Sequence, residues 1–118
     1  MDDVFRTTQH AADPLHLTDV ERMHVPVIEL PDSIAAHEMF PITVKVGQVP
    51  HAMDPEHYIR FVDLYADQTL LSRVTFVPAV LKPKTTFFLE MAEPTLLRAV
   101  AFCNLHGFWA SEKPIKVE

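Results

Sequence analysis

The sequence is poor in the residues that cross-link a chain or let it bend sharply. It has one cysteine and two glycines among 118 residues. A single cysteine excludes an intramolecular disulfide, and it excludes four-thiolate zinc and iron–sulfur sites. Basic residues are also few: ten Lys and Arg stand against sixteen Asp and Glu, for a formal charge of −6. Phosphate backbones need a basic face, so no nucleic-acid partner is expected. No apolar run approaches the roughly 18 residues of a membrane-spanning helix, so no membrane partner is expected either. The opening MDDVFRTTQH is acidic and has no apolar stretch. The expected location is therefore the cytoplasm, where the thiol stays reduced.

What is present suits one globular domain. Hydrophobic residues make up 48% and charged residues 22%. A chain of this length buries about two-thirds of its unfolded surface, so folding needs no disulfide or metal. Ten prolines punctuate short β-like runs. Ile42, Val44 and Val46 alternate with Thr43 and Lys45, the pattern of a half-buried strand. Further runs fall at 25–30, 57–66, 71–77, 85–91, 96–102 and 115–117. Seven short strands and no long helical period predict an all-β fold, a seven-stranded immunoglobulin-like β-sandwich. The Cys–Trp–Cys pattern of antibody domains is missing, so the likeness is one of architecture. Residues 1–20 read as an N-terminal arm or loop, although Thr18 and Asp19 suit the cap of a short helical turn. Residues 21–118 read as the single sandwich domain.

The seven histidines are unevenly placed. His24 opens a strand in His-Val-Pro. His51 and His57 flank a loop containing Pro55. Cys103 and His106 lie in Cys-Asn-Leu-His-Gly, directly after an apolar strand, and Gly107 permits the turn. All five candidates thus fall at strand ends or in loops, where sites are normally mounted. Taken singly, each is more often an ordinary surface or core residue. Together, four imidazoles and one thiol exceed the needs of tetrahedral zinc and suit iron of higher coordination number. His10, His16 and His37 have no such context and read as surface residues.

The strings His24-Val25-Pro26-Val27-Ile28-Glu29, Val44-Lys45-Val46-Gly47, Pro50-His51, Glu56-His57-Tyr58-Ile59 and Cys103-Asn104-Leu105-His106-Gly107, with Trp109 and the closing Glu112-Lys113-Pro114-Ile115-Lys116-Val117, resemble the superoxide reductase family. This is the family of neelaredoxin and the desulfoferrodoxin iron centre. The resemblance implies an immunoglobulin-like sandwich and a mononuclear non-haem iron cycling between Fe2+ and Fe3+. His24, His51, His57 and His106 would be its four nitrogen ligands, and Cys103 the thiolate trans to an open position. With one cysteine, the implied form carries a single iron. The implied activity is one-electron reduction of superoxide to hydrogen peroxide. A rubredoxin-type or other donor protein would return the electron. A homo-oligomer, dimer or tetramer, is also implied.

The stretch before the first ligand departs from the family pattern. A Glu-Lys pair usually precedes the His of His-Val-Pro, the lysine drawing in the anion and the glutamate closing the sixth position. Here the stretch is Glu21-Arg22-Met23-His24, with Met23 in the lysine's place and Arg22 in the glutamate's. Glu21 and Arg22 are the candidates for the two catalytic tasks if the loop holds one extra residue; an ordinary solvated charged loop is the equal alternative. Loss of the lysine leaves a second function open, a non-catalytic iron redox protein serving as sensor or electron carrier. A copper site of cupredoxin type, suggested by Met39 and Met53, fits less well. It needs a Met shortly after the Cys-x-x-His, where Phe108, Trp109 and Ala110 stand.

Overall fold

In a computed structural model of the chain, residues 7–118 are described. Residues 1–6 of the expected arm lie outside the described residues. The elements in chain order are β1 (Thr8–Gln9), α1 (Asp19–His24), β2 (Pro26–Glu29), β3 (Met39–Val46), β4 (Ile59–Ala66), β5 (Thr69–Thr75), β6 (Lys84–Glu90), β7 (Thr95–Cys103) and β8 (Gly107–Ile115). One sheet has the order β2-β3-β6 and the other β1-β8-β7-β4-β5. Apart from the two-residue β1, these are the seven strands of an immunoglobulin-like sandwich, as expected. Among the described residues, no helix is long and apolar enough to cross a membrane.

The period-two pattern explains how the layers close on each other. In β3 the buried set is Phe40, Ile42, Val44 and Val46. In β4 it includes Ile59, Val62 and Leu64, and in β7 Leu97, Ala99, Ala101 and Cys103. These residues belong to one core cluster. Cys103 is therefore the last member of an inward-facing row, carried to the sandwich end by the strand itself.

Two elements differ from expectation. The last strand runs Gly107–Ile115, well ahead of the predicted 115–117. Its polar Ser111-Glu112-Lys113-Pro114 run hides the alternation. A proline is tolerated there because β1 covers β8 only at Phe108 and Trp109, leaving the rest an edge. The second element is α1, which crosses the expected boundary between arm and sandwich: the helical turn capped at Thr18 continues to His24, so His24 closes a helix instead of opening a strand. Thr18 Oγ1 accepts from the Glu21 N–H (3.2 Å), and Glu21 Oε1 accepts from the Thr18 N–H (2.9 Å). This reciprocal capping box offsets the poor stability of so short a helix.

Gly47 fixes how α1 sits against the end of β3. Its φ is +84°, and a Cβ there would lie 2.7 Å from Arg22 O and 2.8 Å from Met23 O. The close approach is sealed by Gly47 N–H to Val25 O and Val49 N–H to Arg22 O, each 3.2 Å. Gly47→Ala combines a left-handed backbone with a clash against rigid carbonyls. It should lower the unfolding free energy of the metal-free chain by about 2 kcal/mol, read by urea denaturation. A loss under about 0.5 kcal/mol would show that this approach does not set the helix position.

Candidate metal centre

Five side chains predicted from the sequence meet at one end of the sandwich. His24 is the last residue of α1 and only 2% exposed. Its Nδ1–H donates to Val20 O at 2.8 Å, one turn back in the same helix. His51 lies in the loop after β3, is 5% exposed, and its Nδ1–H donates to Ala52 O at 2.6 Å. These bonds fix the tautomer of both neutral rings and leave Nε2 carrying the lone pair. His57 enters from a two-residue bridge in which it and Asp54 exchange both main-chain bonds at 3.0 Å.

The Nε2 atoms of His24, His51 and His57 are all buried without a hydrogen-bond partner. Three lone orphans would be costly in a packed interior. Here they point to a common purpose. The ligand atoms of these three rings and Cys103 Sγ all lie within 4.8 Å of one another. His106, on the exposed turn between β7 and β8, completes the ring. Its Nδ1 is 3.7 Å from Cys103 Sγ.

The four imidazoles stand around a square. Adjacent centroids are separated by 4.7 Å (His24–His51), 4.6 Å (His51–His57), 5.0 Å (His57–His106) and 4.9 Å (His106–His24). The His24–His57 diagonal is 6.4 Å. Neighbouring rings are turned edge-on to one another by 73–76°. Trp109 stacks on His24 at 5.0 Å, and its Nε1–H donates to His106 O at 3.1 Å. It therefore packs beside the site.

Electrostatics keep the donors ready for a cation. Burial pushes His51 down to about 4, with the neighbouring imidazoles adding to the effect. Burial likewise lowers His24 and His57. The three rings are therefore neutral at pH 7. Burial raises the Cys103 thiol, against hydrogen bonds from the Leu105 and His106 N–H groups that favour its anion. The His106 N–H lies 3.4 Å from Sγ. A bound cation would supply the missing attraction.

Glu21 and Arg22 are not brought into this cluster. The Glu21 carboxylate is held by two main-chain donors, Thr18 N–H and Ala12 N–H (2.9 and 3.0 Å), which lower its pKa. It ties the arm to α1. Arg22 is exposed beside Gln48 and Val49. Sequence reasoning missed Asn104, whose Oδ1 accepts from Tyr58 N–H (2.9 Å) and whose Nδ2 donates to Glu56 O (3.0 Å). It pins the His57 segment to the Cys103 turn; an Asn within a ligand turn was the available signal. Gln9 was also missed. It donates from Nε2 to His106 O at 2.8 Å, fastening β1 to the same turn.

Comparison with known proteins agrees with this geometry. A family model described as desulfoferrodoxin matches residues 16–112. Neelaredoxin from Megalodesulfovibrio gigas is 32% identical over 114 residues, covering 80% of this chain and 88% of its own. A superoxide reductase from Pyrococcus horikoshii is 32% identical over 99 residues, covering 75% and 84%. The solved superoxide reductase (neelaredoxin) of Ignicoccus hospitalis superposes with a TM-score of 0.73 at 38% identity, over 80% of this chain and 81% of that one. With a match across most of the chain and an iron-type donor cluster at its centre, the chain belongs to the desulfoferrodoxin family.

Proposed function

We propose that this protein is a superoxide reductase whose single iron is held by His24, His51, His57, His106 and Cys103. The observation that carries the reading is the set of three buried, unpartnered imidazole nitrogens converging beside a thiol. A site of this kind suits a resident metal, and a nitrogen-rich set with one soft sulfur suits iron. When bound, the iron supplies a one-electron ferrous/ferric couple, which with two protons converts superoxide to hydrogen peroxide.

The chain's own residues do the rest. The Val20 and Ala52 carbonyls orient two rings, and Trp109 holds a third contact against His24. The Leu105 and His106 N–H groups draw charge from the thiolate and so temper its donor strength. Anion attraction falls to cations other than the usual lysine. Met23 is partly exposed and uncharged. Lys45, Lys82 and Lys84 line a cavity of about 520 Å³ that His51 also borders. A positive cleft of this kind raises the encounter rate of a small anion even on a chain of net negative charge. A rubredoxin-type or other donor protein returns the electron and the chain assembles as a homo-oligomer, both supported by family resemblance; a cytoplasmic setting is supported by the acidic opening of the sequence.

The functional test uses iron-loaded protein and a superoxide pulse. Rapid oxidation, with a thiolate-to-iron charge-transfer band, peroxide formed and no dioxygen released, is expected. Cys103→Ala should abolish the band and reduce the rate at least about a hundredfold. Sluggish oxidation of fully loaded wild type would favour the sensor or carrier reading instead.

Metal loading should also move a predictable number of protons. The imidazoles of His24, His51 and His57 are already neutral at pH 7, and the Cys103 thiol is protonated because burial raises it. Binding must therefore release about one proton per chain from Cys103. Affinity should rise with pH, because hydroxide removes the proton that competes with the metal. Calorimetry of ferrous ion binding in buffers of different ionisation enthalpy measures this release. A value near zero at pH 7 would contradict the thiol's place in the set.

A further inference from the structure

We infer that the lysine-lined cleft beside His51 binds an organic phosphate monoester, a dianion carried on an apolar body. The inference stands apart from the superoxide reading and comes from an electrostatic conflict built into the smaller sheet. Lys45 of β3 and Lys84 of β6 are direct register partners. Val46 N–H bonds to Pro83 O at 2.9 Å, one step further along the same register. Bonded and non-bonded pairs alternate in an antiparallel ladder, so Lys45–Lys84 is a non-hydrogen-bonded pair, the kind whose side chains stand closest. Thr43–Thr86 is the next such pair on the same face, and its hydroxyl oxygens lie 3.0 Å apart. Two lysine stems are thus held side by side. Like charges in that relation destabilise a sheet, and an opposite charge between them removes the penalty.

No described residue supplies that opposite charge. The Lys84 N–H bonds back to Lys82 O at 2.8 Å, and this tight turn brings Lys82 to the same cavity. Among the described residues, Lys45, Lys82 and Lys84 make no ion pair. Glu29 stands diagonal to Lys45, opposite Thr43, without pairing to it. The chain carries sixteen Asp and Glu against ten Lys and Arg. Three of those ten nevertheless gather around this one cavity, and no described carboxylate lines it. The missing counter-charge therefore comes from a bound anion.

The cavity also selects the kind of anion. Its volume of about 520 Å³ lies in the range of small-molecule sites and exceeds what a bare oxyanion fills. Its walls combine the three lysines with the buried apolar residues Val46, Met53 and Pro83. A phosphate monoester carries close to two negative charges at pH 7, which balances the opposed lysine pair. Its organic part covers the apolar wall. A carboxylate brings one charge and leaves an ammonium uncompensated, and inorganic phosphate leaves the apolar wall wet. His51 borders the same cavity, so the bound dianion rests beside a ring assigned to the metal. Under the proposed function, the occupant also cancels the cleft's attraction for superoxide.

Calorimetric titration of the iron-loaded, reduced chain at fixed ionic strength tests this, with phenyl phosphate, inorganic phosphate and benzoate as probes. Phenyl phosphate is expected to bind with a dissociation constant below about 1 mM. It should bind at least about threefold more tightly than either of the other two. Lys45→Gln and Lys84→Gln should each weaken it about five- to tenfold. Lys116→Gln removes the same charge at an exposed position outside the cleft and should change it less than about twofold. Unchanged iron content checks the folding of each variant. Lys84→Gln should also raise the urea midpoint of the ligand-free chain, because it removes the repulsion across the sheet. The proposal is overturned by no binding of phenyl phosphate at about 10 mM, or by benzoate or inorganic phosphate binding as tightly. Equal losses in Lys116→Gln and Lys84→Gln, or a lowered midpoint in Lys84→Gln, would also overturn it.

Discussion

The structure is organised around an electrostatic debt at one end of the sandwich. Three imidazole nitrogens, on His24, His51 and His57, are stripped of water and given no hydrogen-bond partner. No described residue satisfies them, and burial likewise pushes the Cys103 thiol toward its neutral form. Such a cluster persists only where the surrounding fold over-determines it and where a cation compensates for the lost solvation. Metal affinity and folding stability are thereby coupled: what disfavours the empty site favours the loaded one.

The scaffold bears this cost by bringing the five side chains from segments of different kinds. The inward row of β7 delivers Cys103 to the end of the core, and the turn that follows returns His106 beside it. A six-residue helix delivers His24. It is capped by Thr18 and Glu21 and pressed against the end of β3, where only glycine fits. Asn104 joins the His57 segment to the thiol turn, and Trp109 joins His24 to His106. The ligand-bearing segments thus brace one another. This cross-bracing is a better guarantee of geometry than any single strand end.

Much of this was legible in the residue order. Strand periodicity in β3, β4 and β7 is strong because both sheets bury one face, and the five donors are conspicuous by type and position. β8 was hidden because an edge strand need not alternate. The role of Glu21 was obscured for a different reason. A carboxylate near a first ligand reads as chemistry, yet its two oxygens are taken up by Thr18 and Ala12 main-chain donors. Capping is a local pattern, but Ala12 lies nine residues away, and sequence spacing does not reveal that contact. The same limit applies to Asn104 and Gln9. Their partners are brought close only by the pairing of β7 with β4 and of β1 with β8.

The central claim is that four imidazoles and one thiolate converge on one iron. X-ray absorption of the iron-loaded protein addresses it most directly. The account predicts one iron per chain with a first shell of four nitrogens and one sulfur. A shell without sulfur, or a four-coordinate shell lacking one of the imidazoles, would contradict it.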